Sequence, residues 1–210
     1  MKALLINGSP RPNGCTFTAL TELANTLEAE GIETEIVHVG NKDIRGCIAC
    51  RRCHSTGSNK CVFDDIVNEV APKLAEADAF VIGAPVYFGS PAGGAISFMD
   101  RLFFSTLNID KTMKVGASVV TCRRGGNTAS YDVLNKYFTI NCMPVVSSQY
   151  WNMVHGACPE DVRQDLEGLQ TMRTLGNNMA FFINCKNLGL KMGLRLPDTE
   201  APVHTNFIRS

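Results

Sequence analysis

The chain has 210 residues, 45% of them hydrophobic, and its 20 basic residues balance its 20 acidic residues. This length fits one domain with a full-sized core, and the neutral balance does not favour a nucleic-acid or membrane-surface binder, which would carry a basic patch. Apolar runs stay short of the roughly 20 residues of a membrane span. Only four apolar residues follow Lys2 before Asn7 and Gly8. We therefore predict no secretory signal and expect a cytoplasmic protein.

Five short apolar runs alternate with longer patterns of helical spacing. The runs predict strands at residues 3–6, 35–39, 79–84, 115–121 and 145–148. Near-continuous apolar runs are typical of parallel strands that are buried on both faces. Because crossover helices then cover both faces, the order predicts an α/β fold with a doubly wound, five-stranded parallel sheet. Ligands of such sheets bind beyond the carboxyl ends of the strands.

The helical patterns fall between these runs. The first repeats apolar residues at three- and four-residue steps and ends at Gly31. The second begins at Asp64 or Asp65, acidic residues suited to a first turn. Further helices are predicted over residues 95–104 and 129–137, and one long last helix over residues 162–183. The chain is thus expected to form a single domain over residues 1–192, followed by an irregular tail over residues 193–210.

The loop after the first strand has the composition of a phosphate site. Its sequence, Asn-Gly-Ser-Pro-Arg-Pro-Asn-Gly-Cys-Thr, contains Gly8 and Gly14, which let the backbone turn tightly. Ser9 and Thr16 supply hydroxyl donors, and Arg11 adds a cation just before a helix whose free N–H groups favour an anion. An ordinary strand-to-helix turn would explain the glycines and prolines, but not the hydroxyls and the arginine together.

Two further loops follow predicted strands. After the third strand, Gly-Ala-Pro-Val-Tyr-Phe-Gly-Ser-Pro holds Tyr87 and Phe88 between prolines and glycines, which suits a rigid wall beside a flat ring. Core packing of the two aromatic residues is the alternative. After the fourth strand, Thr-Cys-Arg-Arg-Gly-Gly-Asn places Arg123 and Arg124 where they can face an electron-rich ring or a second phosphate. Surface solvation of the arginines is the alternative.

Four cysteines form a compact C-x2-C-x2-C-x7-C motif within a segment of residues 46–61. Close spacing lets several thiolates converge on one iron cluster or one zinc ion, and the basic residues between them favour thiolates, so a bound metal and free redox thiols both stay open. The motif residues are Cys47, Cys50, Cys53 and Cys61. The cysteines without metal-like spacing, which we interpret as core or incidental thiols, are Cys122, Cys142, Cys158 and Cys185.

These motifs resemble the flavodoxin-like NAD(P)H-dependent FMN reductases and, within them, the iron-sulfur flavoproteins. The first loop is similar to the family's FMN phosphate loop and the aromatic loop to its isoalloxazine loop, and the resemblance covers about residues 1–150. Relatives commonly have Asn where this chain has Cys15. The resemblance implies that FMN is held by Ser9, Arg11, Asn13, Gly14, Cys15, Thr16, Pro85, Val86, Tyr87, Phe88, Gly89, Ser90, Thr121, Arg123, Gly125 and Gly126. It also implies that the cysteine motif can hold a [4Fe-4S] cluster.

The function implied is an FMN-dependent oxidoreductase that takes hydride from NAD(P)H and reduces a flavin, a quinone or a one-electron acceptor. No side chain is predicted to be catalytic, because the flavin carries the chemistry. The alternatives are a non-enzymatic FMN and iron-sulfur electron carrier that serves a protein partner, and a redox or metal sensor built on residues 46–61. Family members commonly form homodimers or homotetramers, and Phe88, Phe103 and Phe104 are candidates for such a contact, with core burial equally open for the last two.

Overall fold

The computed structural model describes residues 1–198, 200–201 and 203–205. Its strands are β1 (Lys2–Asn7), β2 (Glu33–His38), β3 (Ala79–Tyr87), β4 (Ser90–Pro91), β5 (Val115–Cys122) and β6 (Met153–His155). Its helices are α1 (Cys15–Ala29), α2 (Arg52–Thr56), α3 (Ile66–Glu76), α4 (Gly93–Ser105), α5 (Asn127–Thr139), α6 (Pro159–Gln164) and α7 (Leu166–Lys191). Within the predicted tail, the described residues after 193 carry no helix or strand, and residues 199, 202 and 206–210 lie outside the described residues.

The parallel strands form one sheet in the order β2-β1-β3-β5-β6, and the short β4 pairs antiparallel with β3. If only the parallel strands are numbered, this order is the flavodoxin-like 2-1-3-4-5. The predicted α/β fold with a five-stranded, doubly wound parallel sheet is therefore confirmed. In this order β1 and β3 are neighbours, as are β3 and β5. The loops that follow these three strands consequently emerge side by side.

Apolar side chains of the central strands alternate between two cores, one on each face of the sheet. Leu5 and Val81 pack into the core that α1 and α7 cover. Leu4 and Phe80 pack into the core that α3, α4 and α5 cover. This alternation explains why the strands are near-continuous apolar runs, since neither face meets water. No helix in the described part of the chain has the length and apolar character that crossing a membrane requires.

The fifth parallel strand lies later in the chain than predicted. Residues 145–148 do not form it, because Val145 makes only an isolated parallel bridge, whereas β6 pairs with the end of β5. Ser148 Oγ donates to Asn152 Oδ1 at 2.8 Å, and the side chain of Asn152 is fully buried. Between the two pairings the chain leaves the sheet edge, and this polar contact lies in that segment. The prediction was wrong because an apolar run does not reveal such a detour.

The predicted last helix is two helices, α6 and α7, which meet at Asp165. The Asp165 carboxylate accepts hydrogen bonds from the backbone N–H of Gly168 at 2.9 Å and of His155 at 2.6 Å. It thus caps α7 and ties its start to the end of β6. Asp165 therefore ends α6 and begins α7. The apolar periodicity continues through this position, so the sequence pattern does not show the break.

Candidate functional site

The loop between β1 and α1 is braced by its own side chains. Asn7, fully buried at the end of β1, accepts from the backbone N–H of Ser9 at 3.1 Å and donates to the carbonyl oxygen of Pro12 at 3.0 Å. Ser9 Oγ in turn accepts from the backbone N–H of Arg11 at 3.2 Å. These contacts close the loop over a short span and hold the Arg11 backbone beside the start of α1. The loop is therefore a preformed cradle.

The first turn of α1 faces this loop with backbone donors that have no partner among the described residues. Gly14 stands at the N-cap and provides no side-chain hydrogen bond, so the first N–H groups of the helix are available to an anion. Burial raises the pKa of the Cys15 thiol, which donates to the carbonyl oxygen of Gly156 at 3.6 Å. The Cys15 side chain thus braces the loop after β6, while its backbone N–H belongs to the helix start.

The aromatic loop is a tight hairpin between β3 and β4. Tyr87 pairs with Ser90, and the two residues between them, Phe88 and Gly89, have φ values of 51° and 75°. Positive φ at both central positions is the pattern of a type I′ turn, which continues the twist of the flanking strands. Tyr87 is half-exposed and Phe88 is fully exposed. The rigid wall predicted from the prolines and glycines is therefore a hairpin.

The end of β5 and the loop that follows it contact the first turn of α1 and the hairpin. The hydroxyls of Thr121 and Thr16 lie 2.8 Å apart, within hydrogen-bond distance. Gly126 has a φ of 87°, and a Cβ at this position would lie 2.6 Å from the Cα of Gly89 in the hairpin. Only glycine permits both the left-handed backbone and this close approach. The backbone of the third loop thereby supports the hairpin from behind.

The three loops line one cavity of about 190 Å³ at the carboxyl ends of the parallel strands. The predicted residues in its lining are Ser9, Arg11, Cys15, Thr16, Pro85, Val86, Tyr87, Thr121 and Arg123. Of the other predicted cofactor residues, all within the described chain, the lining does not include Asn13, Gly14, Phe88, Gly89, Ser90, Gly125 and Gly126. These remaining residues lie in the turns that support the lining residues. Among the residues that the structure describes, two cations and no carboxylate line the cavity, so its electrostatics favour an anion in a chain whose total charge is balanced.

Sequence reasoning missed three residues of this lining, Cys122, Gly156 and Ala157. Cys122 ends β5, and burial raises the pKa of its thiol. Gly156 and Ala157 directly follow β6. Because the fifth strand was predicted at residues 145–148, the loop after the true strand was not considered. The signal that would have found these residues is their place after the Met-Val-His run that forms β6.

The four motif cysteines line a second cavity, of about 20 Å³, at the far end of α4. Ala49 and Arg51 have φ values of 52° and 57°, so the chain turns sharply between cysteines and wraps around the space. Cys47 and Cys50 are exposed, whereas Cys53 is buried and burial raises the pKa of its thiol. The apolar part of the wall comes from Ile48, Val62, Phe63 and Phe104.

The donor set of this cavity is four thiols, which iron-sulfur clusters and zinc ions both use. Zinc holds each thiolate at about 2.3 Å, so its sulfur ligands must crowd together. Among the described residues, no three His, Cys, Asp or Glu side chains converge in this way. An iron-sulfur cluster spreads its thiolate ligands over separate iron atoms. The described side chains are therefore not grouped closely enough to hold a single metal ion, while four thiols are the type and number of ligands that a cluster uses.

A family model described as NADPH-dependent FMN reductase matches residues 1–157. An iron-sulfur flavoprotein of Methanocaldococcus jannaschii is 35% identical over 187 residues, which are 86% of this chain and 96% of that protein. An iron-sulfur flavoprotein of Methanosarcina thermophila is 29% identical over 175 residues, which are 82% of this chain and 90% of that protein.

Two solved structures show the same fold at low sequence identity. RosB, with a bound riboflavin-5′-phosphate derivative, has a TM-score of 0.67 at 17% identity and covers 100% of this chain and 94% of its own. The flavoenzyme NAD(P)H:(acceptor) oxidoreductase of Paracoccus denitrificans has a TM-score of 0.64 at 15% identity and covers 88% of this chain and 97% of its own. With the family match and the loops at the strand ends, this chain belongs to the NADPH-dependent FMN reductase family of flavin-dependent oxidoreductases.

Proposed function

We propose that this chain is an FMN-dependent oxidoreductase that accepts hydride from NADH or NADPH and reduces a flavin, a quinone or a one-electron acceptor. The observation that carries the proposal is that the loop after β1, the start of α1 and the ends of β3 and β5 line one cavity, whose described lining has two arginines and no carboxylate. A phosphate-bearing, flat cofactor requires an anion site and a rigid wall side by side, and this cavity combines both.

The phosphate end lies at the start of α1. Ser9, Arg11 and Thr16 line the cavity there, and the first N–H groups of α1 have no intrahelical partner. A phosphate dianion in this position gains charge-assisted hydrogen bonds and a favourable interaction with the helix dipole. The Cys15 thiol is occupied with Gly156, so we propose that this residue contributes its backbone N–H.

The ring end lies between the hairpin and the end of β5. Pro85, Val86 and Tyr87 form one side, and Thr121 and Arg123 form the other. When bound, FMN supplies both hydride and single-electron chemistry. The residues of this chain orient the ring, exclude water from one of its faces and place the Arg123 cation where negative charge develops on reduction.

We propose that Cys47, Cys50, Cys53 and Cys61 hold a [4Fe-4S] cluster, which would supply single-electron transfer. The proposal rests on the cavity that these four thiols line and on the relatives named iron-sulfur flavoproteins. We also propose a homodimer or homotetramer. Phe88 is fully exposed and Phe104 is 37% exposed, so both remain available for a subunit contact. Phe103 is not available for such a contact, because it is buried in the core against Phe80.

The test is rapid mixing of the FMN-loaded protein with NADH or NADPH without oxygen. We expect bleaching of the flavin absorbance by at least one of the two nucleotides. A flavin that both leave oxidised, but that a chemical reductant bleaches, would support the electron-carrier alternative instead. Arg123→Gln should slow the bleaching, and the neighbouring Arg124→Gln is the matched control because Arg124 does not line the cavity within the described chain.

A further inference from the structure

Arg101 is a buried cation in the wall of the cysteine cavity. It lies on α4, lines the cavity together with the four motif cysteines, and is only 1% exposed. A buried guanidinium is costly unless its donors are paired and its charge is balanced. The contacts of Arg101 therefore show how its donors are paired and how its charge is balanced.

Most donors of the Arg101 fork are directed at fixed partners. Nη1 and Nη2 donate to the two carboxylate oxygens of Asp65 at 2.6 and 3.0 Å. Nη2 also donates to the carbonyl oxygen of Phe63 at 3.3 Å, and the guanidinium lies 5.1 Å from the centre of the Phe63 ring. The paired bonds to one carboxylate fix the orientation of the plane. This orientation directs the remaining edge of the fork, Nε–H, toward the cavity.

Nε of Arg101 donates to Cys61 Sγ at 3.3 Å. The backbone of Cys61 is itself clamped, because its N–H donates to Asn68 Oδ1 at 2.8 Å and its carbonyl oxygen accepts from Asn68 Nδ2 at 3.1 Å. Cys61 is thus held at its backbone by α3 and at its sulfur by α4. The sulfur of Cys53, by comparison, lies 3.8 Å from the carbonyl oxygen of Phe104, which brings it no positive charge.

We propose that Arg101 is a positioning residue of the cysteine centre, which directs the Cys61 sulfur into the cavity and stabilises the reduced state of the cluster through its Nε–H bond and its charge. This inference rests on the cluster proposed above. Reduction adds one electron, and with it one negative charge, to the cluster, and Arg101 exchanges neither an electron nor a proton. Hydrogen bonds to the sulfurs and nearby charge set the reduction potential of such a cluster, and burial strengthens both effects.

The bond from Arg101 to Cys61 makes the four sulfurs of the cysteine cavity unequal. Arg51 also lines the cavity, but its residue is exposed, so water screens its charge. Arg101 is buried, so water does not screen its bond to the Cys61 sulfur, although its charge is shared with the Asp65 carboxylate. We therefore expect the loss of Arg101 to lower the reduction potential of the cluster and to leave that of the bound FMN near its original value.

The test compares the full-length FMN-loaded protein, reconstituted with iron and sulfide without oxygen, with its Arg101→Gln and Arg101→Lys variants. Iron and sulfide per chain, the electron paramagnetic resonance signal of the reduced cluster and a redox titration are measured for each. Arg52→Gln is the matched control, because Arg52 is an exposed arginine beside Cys53 and outside the cavity lining of the described chain. Thermal unfolding verifies that each variant is folded.

We expect Arg101→Gln to lower the ratio of reduced to oxidised cluster at a fixed potential by about tenfold, which corresponds to about 59 mV for a one-electron couple. Arg101→Lys keeps the charge but loses the fork, so its shift should be smaller and in the same direction. Arg52→Gln should match the wild-type protein. If Arg101→Gln does not fold, the Arg101→Lys titration decides.

Two contrary results are distinct. Wild-type protein that loads the cluster, with folded Arg101 variants of unchanged potential, would overturn the role of Arg101 and leave the proposed function in place. Wild-type protein that binds FMN but takes up no iron and sulfide would overturn the cluster and this inference together, without affecting the FMN site. A shift of equal size in Arg52→Gln would show that surface charge alone sets the potential, which also overturns the role of Arg101.

Discussion

Thr16 and Thr121 join the first turn of α1 to the end of β5 by a hydrogen bond of 2.8 Å between their hydroxyls, although 105 positions separate them in the chain. Both residues are buried, at 0% and 2% exposure, and both line the candidate FMN cavity. The phosphate side and the ring side of the cavity are therefore fixed to each other before any ligand binds. Such preorganisation reduces the entropy lost on binding.

This pairing predicts strong coupling between the two threonines. Thr16→Val leaves the Thr121 hydroxyl buried without a partner, which should lower the free energy of unfolding by about 1–3 kcal/mol. Thr121→Val should act similarly. The double variant removes both hydroxyls and should cost less than the sum of the single variants by about 1 kcal/mol. Urea unfolding of the FMN-free protein measures all three, and strictly additive losses would contradict the pairing.

Arg11 should distinguish flavins by their phosphate. Arg11→Ala removes one charge-assisted contact and should weaken FMN binding about tenfold, or about 1.4 kcal/mol, while riboflavin binding is unchanged. Equilibrium titration of the FMN-free protein with each flavin provides the comparison. Arg173→Ala is the matched control, since Arg173 is an exposed arginine on α7 that pairs with Glu22. An equal loss for both flavins would place Arg11 away from the phosphate.

The hairpin carries an unfavourable residue at its tip. Phe88 is fully exposed and has a φ of 51°, a conformation that Asn adopts more readily than a bulky side chain. Phe88→Asn should therefore raise the free energy of unfolding by about 0.5–1 kcal/mol, measured by thermal denaturation. Phe88→Ala removes the same apolar surface without the local preference of Asn and should stabilise less. Equal stabilisation by both variants would count against the turn geometry as its source.

Lys111 should give stability a rising pH dependence above neutrality. Burial lowers its pKa from 10.5 to about 8, and its ammonium donates to the carbonyl oxygen of Ile109 at 3.1 Å and to that of Thr106. Between these two pKa values the unfolded chain binds more protons at this site than the folded chain does. The contribution of Lys111 therefore makes the free energy of unfolding increase with pH in this range, by at most about 1.4 kcal/mol per pH unit.

Lys111→Met removes this titration and should flatten the pH dependence between pH 8 and 10.5, even if the variant is less stable throughout. Urea unfolding at a series of pH values measures the slope. Lys191→Met, at the exposed end of α7, is the control and should keep the wild-type slope. The same slope in all three proteins would show that Lys111 does not titrate in this range.

The sequence predicts best what depends on local composition. The glycines, hydroxyls and arginine of the first loop, and the prolines and glycines around Tyr87, act within a few residues of the chain, and the structure brings both loops to one cavity. The place of β6 depends on its pairing with β5, a strand from an earlier part of the chain. Periodicity carries no record of such a pairing, so the strand was predicted too early.

Single polar residues within apolar patterns account for much of what the sequence did not predict. Asp165 interrupts an apolar face that otherwise continues, and its bonds to Gly168 and His155 show that it starts a helix and ties that helix to β6. Arg101 lies in a helix that was predicted over residues 95–104, but its burial follows from Asp65 and Cys61, which come from other segments. Long-range partners decide such positions, and one sequence does not reveal them.

The most direct test of this account is titration of the FMN-free protein with FMN and with riboflavin, followed by flavin fluorescence and by the flavin that remains bound after gel filtration. We expect one FMN per chain, bound more tightly than riboflavin because the start of α1 and Arg11 hold the phosphate. A chain that binds no flavin, or that binds both flavins equally tightly, would contradict the assignment of the cavity between the three loops.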